Sequence, residues 1–189
     1  MKIGLFFGSF NPIHIGHLII ASFVKANTDL QKVWLVVSPQ NPLKPSNSLL
    51  NEYHRLHLVN LAVEDDTNLD VSDIEFKLPR PSFTIDTLTY LKEKYPQHDF
   101  SVIMGSDSYQ NFSKWKNPEL ILENYKLFLY SRPGFEVKTS HQNVTILLAP
   151  LLEISATQIR SLIQENKSIR YIVPDKVREE IENNRYYKS

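Results

Sequence analysis

The sequence contains no cysteine, and its charges of opposite sign balance, with 21 basic and 21 acidic residues. The missing thiols exclude disulfides, thiolate metal sites and cysteine nucleophiles. A net charge of zero weighs against a broad nucleic-acid surface, which needs a basic excess, but leaves room for a local phosphate site. Long hydrophobic runs are also missing, because no apolar stretch approaches the roughly 18 residues of a membrane span.

The apolar start "KIGLFF" is too short for a secretory signal, and it is followed by Pro12. We therefore expect a cytoplasmic protein that binds neither nucleic acid nor membrane. The chain has 189 residues, 42% of them apolar, without an internal repeat, a low-complexity stretch or a linker. This length and composition predict a single domain over residues 1–189 with a substantial core.

Apolar runs and helical periodicities alternate along the chain. The runs predict strands at Lys2–Phe7, Lys32–Ser38, Leu69–Phe76, Phe100–Asp107, Lys126–Gly134 and Asn143–Pro150. The periodicities predict helices at Gly16–Asn27, Asn51–Asp65, Thr84–Pro96, Ser155–Asn166 and Asp175–Asn184. This order predicts an α/β fold, a Rossmann-like doubly wound parallel sheet with helices on both faces.

Unusual residues follow several of the predicted strands: "GSFNP", "SPQNPLKP", "GSD" and "SRPG". Ligands of open parallel sheets bind outside the carboxyl ends of the strands, where the strand order reverses. The placement predicts one site assembled from several loops.

Two histidines, His14 and His17, lie three residues apart at the start of the first predicted helix, so their side chains share a face. Gly8 would let the chain turn sharply and let a ligand approach the backbone, and Gly16 would leave space between the imidazoles. A helix start also favours anions, so the stretch suits phosphate binding with histidine as donor. Solvated or capping histidines, or half of a metal site without a recognisable third ligand, are the alternatives.

The stretch has neither the glycine fingerprint of dinucleotide-binding proteins nor a Walker A loop. Far downstream, "ISATQIR" (residues 154–160) covers the start of the helix predicted from Ser155. Ser155 can cap that helix, and Arg160 can offer a fork of donors to polyphosphate. Taken alone, this element is better explained as a capped helix with a surface arginine.

Together, "HIGH" (His14–His17) and "ISATQIR" resemble the signatures of the nucleotidylyltransferase superfamily. "PLK", "HRLHLVNLA", "PSFTIDTL", "GSDSYQNFSKW" and "YIVPDKVREEI" extend the resemblance, nearly over the whole chain, to bacterial nicotinate-nucleotide adenylyltransferases. The sequence departs from that family at Ala156, where a second serine is usual, at Arg80, often glycine, and at Phe83, often tyrosine. The last two departures concern the geometry of a loop and leave the reaction unchanged.

The resemblance implies the nucleotidylyltransferase fold and the transfer of AMP from ATP to nicotinate mononucleotide. It implies catalytic roles for His14, His17 and Arg160 at the phosphates. The ATP-binding residues that it implies are Gly8, Ser9, Phe10, His14, His17, Gly105, Asp107, Ser155, Thr157 and Arg160. Asp107 would lie near the ribose, although a helix N-cap is an equally good interpretation. Mg²⁺ would be bound mainly through the ATP phosphates, with few protein ligands.

The same resemblance implies a nicotinate mononucleotide site made of Lys44, Ser82, Phe83, Thr84 and Trp115. Amides of Ser82–Thr84 would hold the pyridine carboxylate at a helix start, and Trp115 would stack on the ring. A core tryptophan and a solvated lysine are the alternatives for Trp115 and Lys44. Arg55 is a weaker candidate with a structural interpretation.

Other functions remain open at this point. Pantetheine-phosphate adenylyltransferase has the same fold and reaction, but usually has threonine in place of His14 and lacks "PSFTIDTL". Nicotinamide mononucleotide is an alternative acceptor, and a non-catalytic nucleotide-binding module is an alternative of another class. A nicotinamide-dependent oxidoreductase is disfavoured by the missing glycine fingerprint. A homo-oligomer is compatible with the sequence.

Overall fold

A single parallel sheet forms the centre of the fold. The computed structural model describes residues 1–40, 49–150 and 153–188 of the chain. The strands of this part are β1 (Lys2–Gly8), β2 (Lys32–Val37), β3 (Leu69–Ser72), β4 (Asp99–Gly105), β5 (Lys126–Tyr130) and β6 (Val144–Leu147). They pair in parallel in the order β3-β2-β1-β4-β5-β6. The predicted doubly wound parallel sheet is confirmed.

Helices cover both faces of the sheet. They are α1 (Ile15–Ala26), α2 (Glu52–Val63), α3 (Thr84–Lys94), α4 (Ser106–Gln110), α5 (Pro118–Asn124), α6 (Ala156–Gln164) and α7 (Asp175–Asn184). One apolar cluster joins α1, α2, α6 and α7 to Phe6 of β1, and a second joins α3 and α5 to Leu5. Successive residues of a strand point to opposite faces, so β1 supplies both cores.

The strand order reverses between β1 and β4. These neighbours pair from Lys2↔Asp99 to Phe6↔Ile103, so their last residues, Gly8 and Gly105, lie at the same edge. The loops after both strands diverge there toward opposite faces, which opens a crevice at the carboxyl edge of the sheet. The loops predicted to form the site after β1 and β4 therefore meet at this edge.

The predicted strand Leu69–Phe76 is wrong in its second half. β3 ends at Ser72, and residues Ile74–Lys77 form a 3₁₀ turn. The Ser72 hydroxyl accepts from the amide of Ile74, and the carbonyl of Asp73 accepts from the amide of Phe76, so local bonds replace the ladder. The predicted strands ending at Asp107 and Gly134 are also too long, since β4 ends at Gly105 and β5 at Tyr130. Helices α4 and α5 were not predicted.

Candidate active site at the carboxyl edge of the sheet

The turn after β1 is made at Phe10 and not at Gly8. Phe10 has a φ of 44°, in the left-handed region, whereas Gly8 is still part of β1. The glycine is needed for space, because a Cβ on Gly8 would lie 2.8 Å from the buried Phe10 ring. The sharp turn predicted at Gly8 is therefore wrong in position, although the glycine is required.

The two histidines stack on each other at the start of α1. His14 is the N-cap residue, and the ring centroids of His14 and His17 are 3.7 Å apart. The amide of His14 donates to Nδ1 of His17 at 3.3 Å. Because Nδ1 is the acceptor, the neutral tautomer of His17 carries its proton on Nε2, which is then a donor. Phe10 packs edge-on against the His17 ring at 5.1 Å and fixes its plane.

Burial, together with the charge of Arg132, lowers the pKa of His14 to about 4. The ring is therefore neutral at pH 7, and its Nδ1 is buried without a hydrogen-bond partner in the part of the chain that the structure describes. A Cβ on Gly16 would lie 3.0 Å from this Nδ1. Gly16 thus leaves space beside the His14 ring, whereas the sequence predicts this space between the two imidazoles.

Arg160 contacts the loop after β1 from the side of α6. Its guanidinium donates to the carbonyl of Asn11 at 2.8 Å and to the Thr157 hydroxyl at 3.2 Å. Ser155 is the N-cap of α6 and accepts from the amide of Gln158 at 3.2 Å, so the predicted cap is confirmed. The chain thus brings Ser155, Thr157 and Arg160 beside the histidine loop. We call Gly8–Phe10, His14, His17 and Arg160 the histidine side of the site.

Asp107 is not a helix N-cap, since Gly105 holds that position and Asp107 lies in the first turn of α4. Its Oδ1 is 3.5 Å from Nε of Arg132 and, within the described residues, is buried without a hydrogen-bond partner. Arg132 also donates to the Tyr130 hydroxyl at 3.2 Å. A Cβ on Gly105 would lie 2.3 Å from Asp107 Oδ1 and 3.1 Å from Arg132 Nε, so this close approach requires glycine.

Sequence reasoning missed Arg132, although "SRPG" was noted as a strand-end element. Its position directly after β5 was a signal, because that edge of the sheet holds the site. Its charge lowers the pKa of His14. Arg132 is exposed, so its free donors face solvent and any anion that enters the crevice.

A second group of predicted residues lies at the start of α3. Phe83 is the N-cap residue, and no side chain caps the first turn. Ser82 is buried, and its hydroxyl donates to Glu75 Oε2 at 2.9 Å, so the side chain points into the protein. The backbone of Ser82–Thr84 is thus left to present the helix start, as expected for an anion site.

Trp115 is half-buried and ends the 3₁₀ turn Phe112–Lys114. Its ring lies 5.3 Å from the ring of Phe112, while Nζ of Lys116 lies 5.1 Å above the Phe83 ring. Lys116 also pairs with Asp86 of α3 at 2.8 Å, which ties the Trp115 segment to the helix start. We call Glu75, Ser82–Thr84 and Trp115 the α3 side of the site.

Lys44 lies outside the described residues. Arg55, the weaker candidate, has the structural role: its side chain is fully buried and donates to the carbonyls of Leu50, Ser9, Ser38 and Pro39 at 2.5–2.9 Å. Four of its five donors are used, so the guanidinium contacts protein and not ligand. It joins the loops after β1 and β2.

The histidine side offers imidazole and guanidinium donors, and the α3 side offers amides and an aromatic ring. This arrangement suits a ligand with phosphates at one end and a flat acidic group at the other. Over residues 1–40, 49–150 and 153–188, no group of three or more His, Cys, Asp or Glu could hold a metal ion. Within the same ranges, every helix is too short or too polar to span a bilayer.

The chain is similar over its length to known proteins. A family model described as cytidylyltransferase-like matches residues 5–162. A relative from Cytophaga hutchinsonii, named as a probable nicotinate-nucleotide adenylyltransferase, is 53% identical over the full length of both chains. A relative of the same name from Bacteroides thetaiotaomicron is 44% identical over 96% of this chain and 91% of its own.

A solved structure gives the same fold. The nicotinic acid mononucleotide adenylyltransferase of Plasmodium falciparum, complexed with NaAD, superposes with a TM-score of 0.82 at 20% identity. The match covers 98% of this chain and 97% of that one. At this identity the similarity shows a shared fold.

Proposed function

The chain belongs to the cytidylyltransferase-like family, and from this premise we propose that it is a nicotinate-nucleotide adenylyltransferase. It transfers AMP from ATP to the phosphate of nicotinate mononucleotide and forms nicotinate adenine dinucleotide and pyrophosphate, a step of NAD biosynthesis. The observation that carries the assignment is the stacked histidine pair at the reversal of the strand order, in a chain that matches these enzymes over its whole length.

The reaction needs little acid–base chemistry. An oxygen of the mononucleotide phosphate attacks the α-phosphorus of ATP, and the bond from that phosphorus to the bridging oxygen breaks as pyrophosphate leaves. The attacking phosphate is already an anion at pH 7. Catalysis is therefore a matter of positioning and of stabilising negative charge at the α-phosphate.

On the histidine side, Nε2 of His17 and the ring of His14 would face the α-phosphate. Amides of Gly8, Ser9 and Phe10 would approach the phosphates. Ser155, Thr157 and Arg160 would contact the β- and γ-phosphates from the start of α6. Arg160 already holds the Asn11 carbonyl, so it would bind phosphate with its remaining donors.

Beyond β4, Gly105 lets Asp107 lie close to the backbone, and Asp107 would accept from a ribose hydroxyl through its buried Oδ1. Arg132, two residues after the end of β5, would add a guanidinium to the same end of the crevice. Mg²⁺ would be held mainly by ATP phosphate oxygens and water, since the described residues contain no group of three or more His, Cys, Asp or Glu that could hold a metal ion. When bound, the ion neutralises phosphate charge.

On the α3 side, backbone amides of Ser82, Phe83 and Thr84 would hold the pyridine carboxylate. Trp115 would stack on the pyridine ring, and Lys44 would pair with the mononucleotide phosphate. Backbone N–H groups only donate hydrogen bonds. They therefore suit a carboxylate better than a carboxamide, whose NH₂ group also donates. This is the basis for expecting the acid and not nicotinamide mononucleotide as acceptor.

We also propose that residues 1–189 act as one domain and that the enzyme works in the cytoplasm. No nucleic acid or membrane partner is expected. A homo-oligomer remains compatible with these properties.

The decisive assay is pyrophosphate release with ATP and Mg²⁺ and, in turn, nicotinate mononucleotide, nicotinamide mononucleotide and phosphopantetheine. We expect a clear preference for nicotinate mononucleotide in kcat/KM. An equal or higher kcat/KM with the nicotinamide form would show that the acid-specific assignment is wrong. Nucleotide binding without turnover of any acceptor would instead support the non-catalytic module.

A further inference from the structure

Glu75 is a buried carboxyl group for which the reaction above has no use. Its side chain is 3% exposed and lies in the 3₁₀ turn that follows β3. A carboxyl group is costly to bury unless hydrogen bonds compensate for lost water. In the ranges that the structure describes, Glu75 takes part in no ion pair, so its compensation comes from neutral groups.

Two hydroxyl groups near the start of α3 donate to this carboxyl group. Ser82, just before α3, donates to Oε2 at 2.9 Å, and Thr87, in the first turns of α3, donates to Oε1 at 3.1 Å. Hydrogen bonding with the side chain of Ser38, the residue after β2, also lowers the pKa of Glu75. Each oxygen of Glu75 thus holds a different part of the α3 start, and the carboxyl group ties both parts to the sheet.

These bonds also decide what the start of α3 presents. Serine near a helix start usually turns its hydroxyl toward the first amides and caps them. Here Ser82 is held inward by Glu75, and the N-cap residue is Phe83, which has no capping group. The first turn is therefore left without a side-chain cap, and its amides are available to an external acceptor.

Hydrogen bonds of the Ser38 backbone lead from this cluster to the histidine side. The carbonyl of Ser38 accepts from Arg55 at 2.8 Å, and the same guanidinium holds the carbonyl of Ser9. The amide of Ser38 donates to the carbonyl of Gly8 at 2.9 Å. Ser38 thus connects the loop after β1 to the Glu75 cluster, which fixes the α3 start relative to the phosphate site.

We propose that Glu75 is a positioning residue for acid recognition: it holds the Ser82–Thr84 turn so that uncapped amides meet the pyridine carboxylate. The inference rests on the proposed function and adds a residue that determines acid-over-amide preference without contacting substrate. Burial raises the pKa of Glu75, and hydrogen bonds with Ser38, Ser82 and Thr87 oppose this shift.

The test compares Glu75→Gln and Thr87→Val with Thr89→Val as control. Glutamine keeps the shape but replaces one carboxylate oxygen with an NH₂ donor, so Ser82 or Thr87 loses its acceptor. Thr87 and Thr89 lie on the same helix and both contact the carbonyl four residues earlier, but among the described residues Thr89 has no bond to Glu75. Kinetics are measured with nicotinate and nicotinamide mononucleotides at saturating ATP.

We expect Glu75→Gln and Thr87→Val to raise KM for nicotinate mononucleotide about tenfold, as for loss of about 1.4 kcal/mol of binding. KM for ATP and kcat/KM for the nicotinamide form should change less than about twofold, so the preference for the acid falls about tenfold. Thr89→Val should leave all these constants at wild-type values. A purely structural role would lower stability or kcat for both acceptors alike and leave their ratio unchanged.

An unchanged acid-to-amide ratio in both Glu75→Gln and Thr87→Val would overturn the inference. An increased ratio would also overturn it, because it would show that Glu75 repels the substrate. If Glu75→Gln does not fold, the Thr87→Val and Thr89→Val pair decides by the same ratio. Wild-type enzyme without acid preference would contradict the proposed function itself, a result that the first assay separates from failure of this inference.

Discussion

The histidine side and the α3 side each bury one ionisable group, and burial shifts the two pKa values in opposite directions. It lowers the pKa of His14 to about 4 and raises the pKa of Glu75. In both cases the uncharged form is favoured, because desolvation penalises charge of either sign. The exposed cation Arg132, in contrast, stays ionised at the mouth of the site. The comparison shows that burial favours the uncharged form of each buried group, whereas an exposed guanidinium carries positive charge at the mouth of the site.

The two sides also differ in how they hold their backbone. On the histidine side, Arg55 and Arg160 hold the carbonyls of Ser9 and Asn11 from opposite directions. On the α3 side, hydroxyl groups converge on a single carboxyl group. Guanidinium groups bind carbonyls of one loop, and a carboxyl group that binds hydroxyls leaves the first turn of the other segment without a side-chain cap. Both arrangements present backbone donors to an anion.

The largest expected effect comes from Arg55, which joins the loops after β1 and β2. Arg55→Met removes four hydrogen bonds from a buried group, and at about 1 kcal/mol each the free energy of unfolding should fall by about 4 kcal/mol. Urea unfolding at pH 7 measures this change, and Arg55→Lys should restore only part of it. A loss below about 1 kcal/mol would show that the two loops are not held together by this side chain.

A smaller effect is expected on the histidine side alone. His17→Ala removes one preorganised donor at the developing charge, so kcat should fall by about 10²–10³. KM for both substrates should change far less, and the fold should remain. Steady-state kinetics with nicotinate mononucleotide measure kcat and both KM values. A variant with near-normal kcat would show that His17 has a structural role only.

The opposite pKa shifts predict opposite pH dependences of stability. Between pH 6.5 and about 4, His14 is protonated more in the unfolded than in the folded chain, so it makes stability fall as pH falls. The full shift corresponds to about 3 kcal/mol. Urea unfolding at pH 7 and pH 4.5 should show that His14→Gln loses less stability on acidification than wild type.

Glu75 has the reverse sign. Its pKa is raised in the folded state, so it favours folding at low pH, and its contribution is lost as pH rises through the folded-state pKa. Glu75→Gln should therefore lose relatively more stability at pH 4.5 than at pH 7, when each is compared with wild type. Identical pH profiles for the two variants would contradict the contrast between the sides.

The smallest of these effects concerns Trp115. Trp115→Ala should raise KM for nicotinate mononucleotide about tenfold, or about 1.4 kcal/mol, and leave KM for ATP almost unchanged. The other tryptophan, Trp34, is half-buried like Trp115 but packs against Tyr95 and Phe100, and it provides a matched control. Trp34→Ala should lower stability by about 3–5 kcal/mol without a selective change in KM. The reverse pattern would place Trp115 in the core.

The histidine side was the part of the site that sequence could predict. "HIGH" and "ISATQIR" contain side chains that can themselves donate to phosphate. The apolar runs of the sequence located the strands of the sheet edge at which these motifs lie. The turn at Phe10 could not be predicted, because a left-handed phenylalanine depends on tertiary packing between Phe6 and His17.

On the α3 side, the sequence predicted only the residues expected to contact the ligand. Ser82–Thr84 and Trp115 were found through the family resemblance, but Glu75 was assigned to a strand that ends three residues before it. A glutamate between Ile74 and Phe76, both apolar, was the available signal. Its meaning depended on Ser38 and Thr87, which are distant in sequence and converge only in the fold.

The contact between Gly8 and the Phe10 ring has a consequence for how this sequence can change over generations. A Cβ at position 8 would lie 2.8 Å from a ring that is itself buried, so neither partner can yield alone. Gly8→Ala should be harmful with phenylalanine at position 10 and tolerated with leucine there, a case of epistasis between neighbouring sites. A side chain at position 8 is therefore tolerated only after the residue at position 10 has been replaced by a smaller one.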